Sequence, residues 1–144
     1  MPTEPDTSRA DLIEALGAVA FAVMAALSRV AAEHDLSLTQ LRMIGILRDR
    51  RMTITELAHA LGLDRSSVSG LVERTETRGL VQREPNPDDA RSVHVTLSPR
   101  GAEALSLGAT EAAGLLSSLT DALTLTESRR LTALLDRMIE HRGL

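Results

Sequence analysis

Residues 37 to 67 hold three helix-start signals in close succession, and that crowding restricts the possible folds more than any other feature of the chain. Ser37-Leu38-Thr39-Gln40 and Thr53-Ile54-Thr55-Glu56 both have the form of a capping box. In such a box a hydroxyl accepts the third backbone N–H of a helix, and a Gln or Glu reaches back to the cap's own N–H. The third signal is Asp64, a short acceptor ahead of RSSVSGLVERTET. Apolar residues follow each start at helical spacing: Leu41, Ile44 and Leu47; then Leu57, Ala60 and Leu61, stopped by Gly62; then Val68, Leu71 and Val72, ending at Gly79. Three helices of unequal length with turns of a few residues make a tri-helical core. The junction ALGLDRS has the length and the glycine of a helix-turn-helix.

Beyond Gly79 the apolar spacing drops from 3.6 to 2. LVQRE, the turn-rich PNPDDAR, and SVHVTL with Val93, Val95 and Leu97 on one side predict a two-stranded hairpin. Ser98-Pro99 starts a further helix, carried on by Leu105, Ala109, Ala112, Leu116 and Leu119. A last helix is expected from about Thr126, with Leu131, Leu134, Leu135, Met138 and Ile139 on one face. Ahead of the core, residues 8–34 read as one long helix that opens at Ser8-x-x-Asp11. Its narrow seam of Leu12, Leu16, Val19, Val23, Leu27 and Val30 suits packing along another long helix. The expected fold is mainly α with a small β-hairpin, in the order α-α-α-α-β-β-α-α, and 144 residues suffice for one domain.

Composition agrees: Phe21 is the one aromatic residue, and a Leu- and Ala-rich chain favours packed helices over a β-sandwich. The chain has no Cys, which removes disulfides, thiolate zinc sites and thiol redox switching. The polar, acidic start MPTEPDTSRAD does not resemble a signal peptide, and no uninterrupted apolar run approaches the roughly 20 residues that span a bilayer. A soluble, cytoplasmic protein without a membrane partner is expected. The four histidines (34, 59, 94, 141) lie on separate segments, with no H-E-x-x-H, phosphate loop or nucleophile elbow. Glu56 and His59 stand i, i+3 on a helix, but no second ligand pair accompanies them, so a surface pair is the simpler reading. No enzyme activity, metal or cofactor is expected.

A net charge of −4 argues at first against a nucleic-acid partner. The charge is uneven, however: residues 42 to 100 hold ten Arg against eight acids, a balance of +2, while the flanks carry −6. All sixteen basic residues are Arg, whose forks match phosphates and guanine edges; the same usage also fits a genome-wide composition bias. Within residues 64 to 78, Leu71, Val72 and Thr75 fall within about 60° of Val68 on a helical wheel and form the buried stripe. The opposite stripe holds Ser66, Gly70, Glu73 and Thr77, flanked by Ser69 and Arg74. Poor helix formers therefore cluster on the exposed face, where small side chains allow close approach and hydroxyls and Arg74 can donate to phosphates or base edges. Serines near a helix start also cap, and capping by itself would account for Ser67, three residues after Asp64. Capping does not account for Ser69 and Gly70. At the hairpin tip Arg91 follows an Asn-Pro-Asp-Asp turn, placed to enter a minor groove, with Asp88 and Asp89 orienting it or shaping the turn.

With these residues the sequence resembles the MarR family of transcriptional regulators. The resemblance lies in LSLTQLRMIGIL (36–47), TITELAHALGLDRSSVSGLVERTETRGLV (53–81) and REPNPDDARSVHVTLSPRG (83–101), including Asp89-Ala90-Arg91 and Val95 to Gly101. It implies a winged helix-turn-helix (37–99) flanked by N- and C-terminal dimerisation helices (1–36 and 100–144), with 64–78 as the recognition helix and Arg91 as the wing arginine. The DNA-contacting candidates are Thr55, Arg65, Ser66, Ser67, Ser69, Gly70, Arg74, Thr77 and Arg91. The implied partners are double-stranded DNA at a pseudo-palindromic operator, a second copy of the chain, and a small aromatic or phenolic acid effector that lowers DNA affinity. Phe21, Met24, His34 and Met43 are the effector-site candidates. Two positions depart from the family pattern: Thr75 stands where Leu is usual, and Gly70 where a larger, often basic, side chain is common. A winged-helix DNA binder without effector, and a protein-interaction module of the same fold, are the alternatives.

Overall fold

The computed structural model describes residues 7–141. The elements are α1 (Thr7–Glu33), α2 (Leu38–Ile46), β1 (Met52–Thr53), α3 (Ile54–Leu61), α4 (Arg65–Thr77), β2 (Val81–Pro85), β3 (Val93–Leu97), α5 (Pro99–Thr120) and α6 (Leu125–His141). Their bounds follow from local chemistry. Ser37 Oγ accepts the Gln40 N–H at 3.1 Å and Gln40 Oε1 accepts the Ser37 N–H at 2.9 Å. Thr53 and Glu56 repeat the exchange at 3.2 and 2.7 Å. Asp64, Ser98 and Thr124 cap α4, α5 and α6, and Gly62 and Gly79 end α3 and α4 in the left-handed region, at φ 68° and 73°.

Three details differ from the sequence reading. α1 already includes Thr7, ahead of the Ser8 at which the sequence places its start. α6 starts at Leu125, because Thr124 and Glu127 form its cap. The hairpin gains a third strand: β1 pairs antiparallel with β3, Met52 with Val95 and Thr53 with His94, giving the order β1-β3-β2. Two residues of strand carry no period of their own, so only the distant partner defines them. In β3, Val95 is fully buried while Val93, next to the tip, stays 38% exposed.

Met43 and Ile44 of α2, Leu47 at its C-cap, Leu57 of α3, Val68 and Val72 of α4, and Val81 and Val95 of the sheet form the core. Each contributes about 1.5 to 3 kcal/mol by burial. Ala31 of α1 and Leu105 of α5 join the same cluster, so the long helices and the tri-helical unit share one interior. Thr75, where the family pattern has Leu, completes the buried stripe of α4. It is fully buried, its hydroxyl donates to the Leu71 carbonyl at 2.7 Å, and it accepts Gln40 Nε2 at 3.2 Å, so every polar atom there is satisfied.

The long helices are less covered. Leu12, Ile13 and Phe21 of α1 and Leu131, Leu135 and Met138 of α6 are exposed, and no described residue of α6 is buried. By length and composition alone Ser8–Glu33 could cross a bilayer, with mean hydropathy 1.9, which the absence of a long uninterrupted run did not reveal. Its end is instead part of the protein interior, where Val30 and Ala31 are 1% exposed.

Candidate nucleic-acid interface

α4 is held on three sides, and the fourth is open. At its start the Asp64 carboxylate accepts Ser67 N–H at 2.8 Å and Ser67 Oγ–H at 2.6 Å. These bonds, the hydroxyl's first, hold the Asp64 carboxyl below its ordinary value. Along its length Val68, Leu71, Val72 and Thr75 are buried. At its end the Arg78 guanidinium donates to the carbonyls of His34, at 2.9 Å, and Asp35, where α1 terminates. Asp35 has a φ of 53°, an uncommon backbone for a residue with a side chain, and its carbonyl is one of the two that Arg78 gathers. His34 Nε2 lies 2.9 Å from Glu111 Oε2 on α5, so the end of α4 is tied to α1 and, through it, to α5.

The open side carries Arg65, Ser66, Ser69, Glu73, Arg74 and Thr77, all exposed, with Gly70 half-buried among them. Arg65, Arg74 and Arg91 form no ion pair among the described residues, whereas neighbouring Arg83 is paired with Glu76 at 3.5 Å. Two of the hydroxyls expected on this face are engaged by the protein itself. Ser67 gives its proton to Asp64, which makes it a capping residue, and Thr77 gives its own to the Glu73 carbonyl at 2.9 Å. Thr55 is exposed near the start of α3, one residue before Glu56, whose carboxyl is held low by Thr53, the backbone N–H first and the hydroxyl second. That carboxylate is committed to the cap rather than to His59.

The hairpin tip is built by its own side chains. Asn86 Nδ2 donates to Ser92 Oγ at 2.7 Å, Asp88 N–H to Asn86 Oδ1 at 3.0 Å, and Arg91 N–H to Asp89 Oδ1 at 2.9 Å. Asp89 therefore shapes the turn and leaves the Arg91 guanidinium free and exposed.

The four effector-site candidates do not converge. Phe21 and Met24 are 75% and 50% exposed on α1, Met43 is in the core at 0%, and His34 is with Glu111. A cavity of about 580 Å³ lies elsewhere, lined by Leu27 of α1, Leu41, Arg42 and Ile46 of α2, Arg50, and Leu105 of α5. It is open to one side and exists only where three separate helices meet, with Arg48 and Asp49 from the turn after α2 at its edge.

Residues 34–92 match a model of the MarR family. The repressor NicR of Pseudomonas putida is 38% identical over 74 residues, 49% of this chain and 47% of NicR; the matched segment spans about half the length of that curated relative. Wild-type MarR from E. coli in its apo form is similar over 89% of this chain and 96% of its own, with TM-score 0.73 and 26% identity. A cysteine-to-serine mutant of that protein, complexed with operator DNA, is similar over 95% and 99%, with TM-score 0.70 and 24% identity. These proteins are named as regulators rather than enzymes.

Proposed function

We propose that this chain, which belongs to the MarR family of winged helix-turn-helix proteins, binds duplex DNA as a homodimer and represses transcription, releasing its site when a small aromatic or phenolic acid binds. The observation that carries the proposal is the open face of α4. Its apolar residues are all turned inward, and small residues with an unpaired Arg74 are turned out. Ser66, Ser69, Gly70, Arg74, Thr77, Arg65 and Thr55 form the major-groove surface, with Ser67 holding the helix start, and Arg91 enters the adjoining minor groove. The operator complex of the E. coli relative supports the same role here.

Residues 37–99 serve as the DNA-binding region, and 1–36 with 100–144 as the dimerisation region. The exposed leucines of α6 support this, since a two-fold partner covers what one protomer leaves bare. Two recognition helices then read half-sites about 34 Å apart, or a multiple of that spacing, on a pseudo-palindrome.

The effector's place is the cavity between α1, α2 and α5, where Arg42 and Arg50 meet leucines and Ile46. Arg42 suggests how release works. Its guanidinium donates to the Ala60 and Leu61 carbonyls, at 3.2 and 3.4 Å, where α3 ends and the helix-turn-helix corner begins. A carboxylate in the cavity competes for that guanidinium and frees the corner that sets α4.

Duplexes selected from a random pool test the proposal. Binding should weaken steeply with salt, log K falling against log salt by about 0.9 per phosphate neutralised. Arg91→Ala and Arg74→Ala should each cost about 1 to 3 kcal/mol in affinity. Wild-type affinity in both variants removes these arginines from the site, and a salt-independent interaction removes DNA as the partner. An operator affinity unchanged across a panel of aromatic acids would favour a regulator without effector.

A further inference from the structure

Gly70 is the one glycine of α4, placed in a helix interior where glycine is the poorest helix former after proline. A Cβ built on it would stand 3.2 Å from Nη1 of Arg74 and meet nothing else within 4 Å. Helix geometry brings this about: side chains lean toward the N-terminus, so residue 74 lies back over residue 70, one turn earlier. The Arg74 guanidinium thus rests in the space that a side chain at 70 would occupy. It makes no ion pair there among the described residues. Arg78 and Arg83, its neighbours, are by contrast committed to the His34 carbonyl and to Glu76.

We infer that Gly70 is a specificity-determining residue, acting by seating Arg74. This rests on the DNA-binding reading above. The bare backbone supplies a recess in which the fork lies along the helix, presenting its donors near the middle of the groove-facing surface. Any Cβ at 70 forces the fork outward by a few tenths of an ångström. A bidentate contact with a base edge depends on fork geometry, whereas a phosphate contact tolerates displacement, so base readout is lost first. The poor helix propensity at this position is then the cost of recognition.

Gly70→Ala separates the two effects, because nothing but a flexible side-chain end stands in its way. The variant should melt at a higher temperature than the wild type. Its preference for the selected duplex over a scrambled one should nevertheless fall roughly tenfold, with the salt dependence unchanged. In an Arg74→Ala background the same substitution should leave the preference alone. A Gly70→Ala protein that keeps wild-type preference overturns the inference. So does an equal loss in both backgrounds, which would mean that glycine serves close backbone approach instead. A wild-type chain that binds no duplex at low salt overturns the DNA-binding reading and the inference together; equal discrimination by the wild type and Gly70→Ala overturns the inference alone.

Discussion

Gly101→Ala should unfold this protein more easily, although alanine is the better helix residue. Gly101 is the third residue of α5, and its N–H donates to the cap, Ser98 Oγ, at 2.9 Å. An added Cβ would stand 1.9 Å from the Leu80 carbonyl oxygen and 2.8 Å from its carbon, both backbone atoms that cannot rotate away. Reaching the 3.0 Å that real Cβ atoms respect requires an opening of more than 1 Å. That opening pulls on the bonds that dock α5 here, Ser98 N–H to the Leu80 carbonyl at 3.1 Å and Ser98 Oγ–H to the Gly79 carbonyl at 2.5 Å. Overpacking costs about 1 to 3 kcal/mol and a lost hydrogen bond about 1 more. Helix propensity returns about 1 kcal/mol, leaving a net loss of about 1 to 3 kcal/mol, or about 2 to 10 °C in Tm for a chain of this size. With no Trp or Tyr in the chain, far-ultraviolet circular dichroism is the suitable probe, in urea at several protein concentrations so that assembly is separated from folding. A midpoint equal to or above the wild type's would refute the argument. Gly70→Ala serves as the control, since there an added Cβ meets only the flexible end of Arg74 and the same substitution should stabilise.

Thr75→Val removes the acceptor of Gln40 Nε2 in the core and should cost about 1 to 3 kcal/mol, while Thr75→Ser keeps that acceptor and should cost only about 1 kcal/mol for the lost methyl. A Thr75→Ser protein as unstable as Thr75→Val would show that shape, not hydrogen bonding, matters there. The caps make stability acid-sensitive. Glu56 and Glu127 are held below 4.5, chiefly by bonds from Thr53 and Thr124, and Asp64 below 3.8, chiefly by Ser67. Carboxyls depressed in the folded state contribute fully above their ordinary values, and that contribution is lost as the pH falls through the folded ones. Urea midpoints should therefore be level above about pH 5 and decline toward pH 3, less steeply in Asp64→Asn; a profile flat through this range would contradict the cap geometry.

Where α2 to α5 begin is written in the amino-acid sequence alone. Each start rests on groups three residues apart, such as Ser37 with Gln40 or Thr53 with Glu56, and such pairs close without help from the rest of the chain. The inward face of α4 is equally legible there, because Val68, Leu71, Val72 and Thr75 share one stripe at helical spacing. Other features needed the assembled fold. Met52–Thr53 became a strand only on meeting β3, Thr75 became a good core residue only beside Gln40, and Gly101 became irreplaceable only because the Leu80 carbonyl lies on it. The cavity between α1, α2 and α5 was illegible for the same reason, since a cavity belongs to the surfaces that form it and not to any stretch of chain. Local hydrogen bonding and periodicity act within a few residues and are written in order; packing acts between residues that the fold alone makes neighbours.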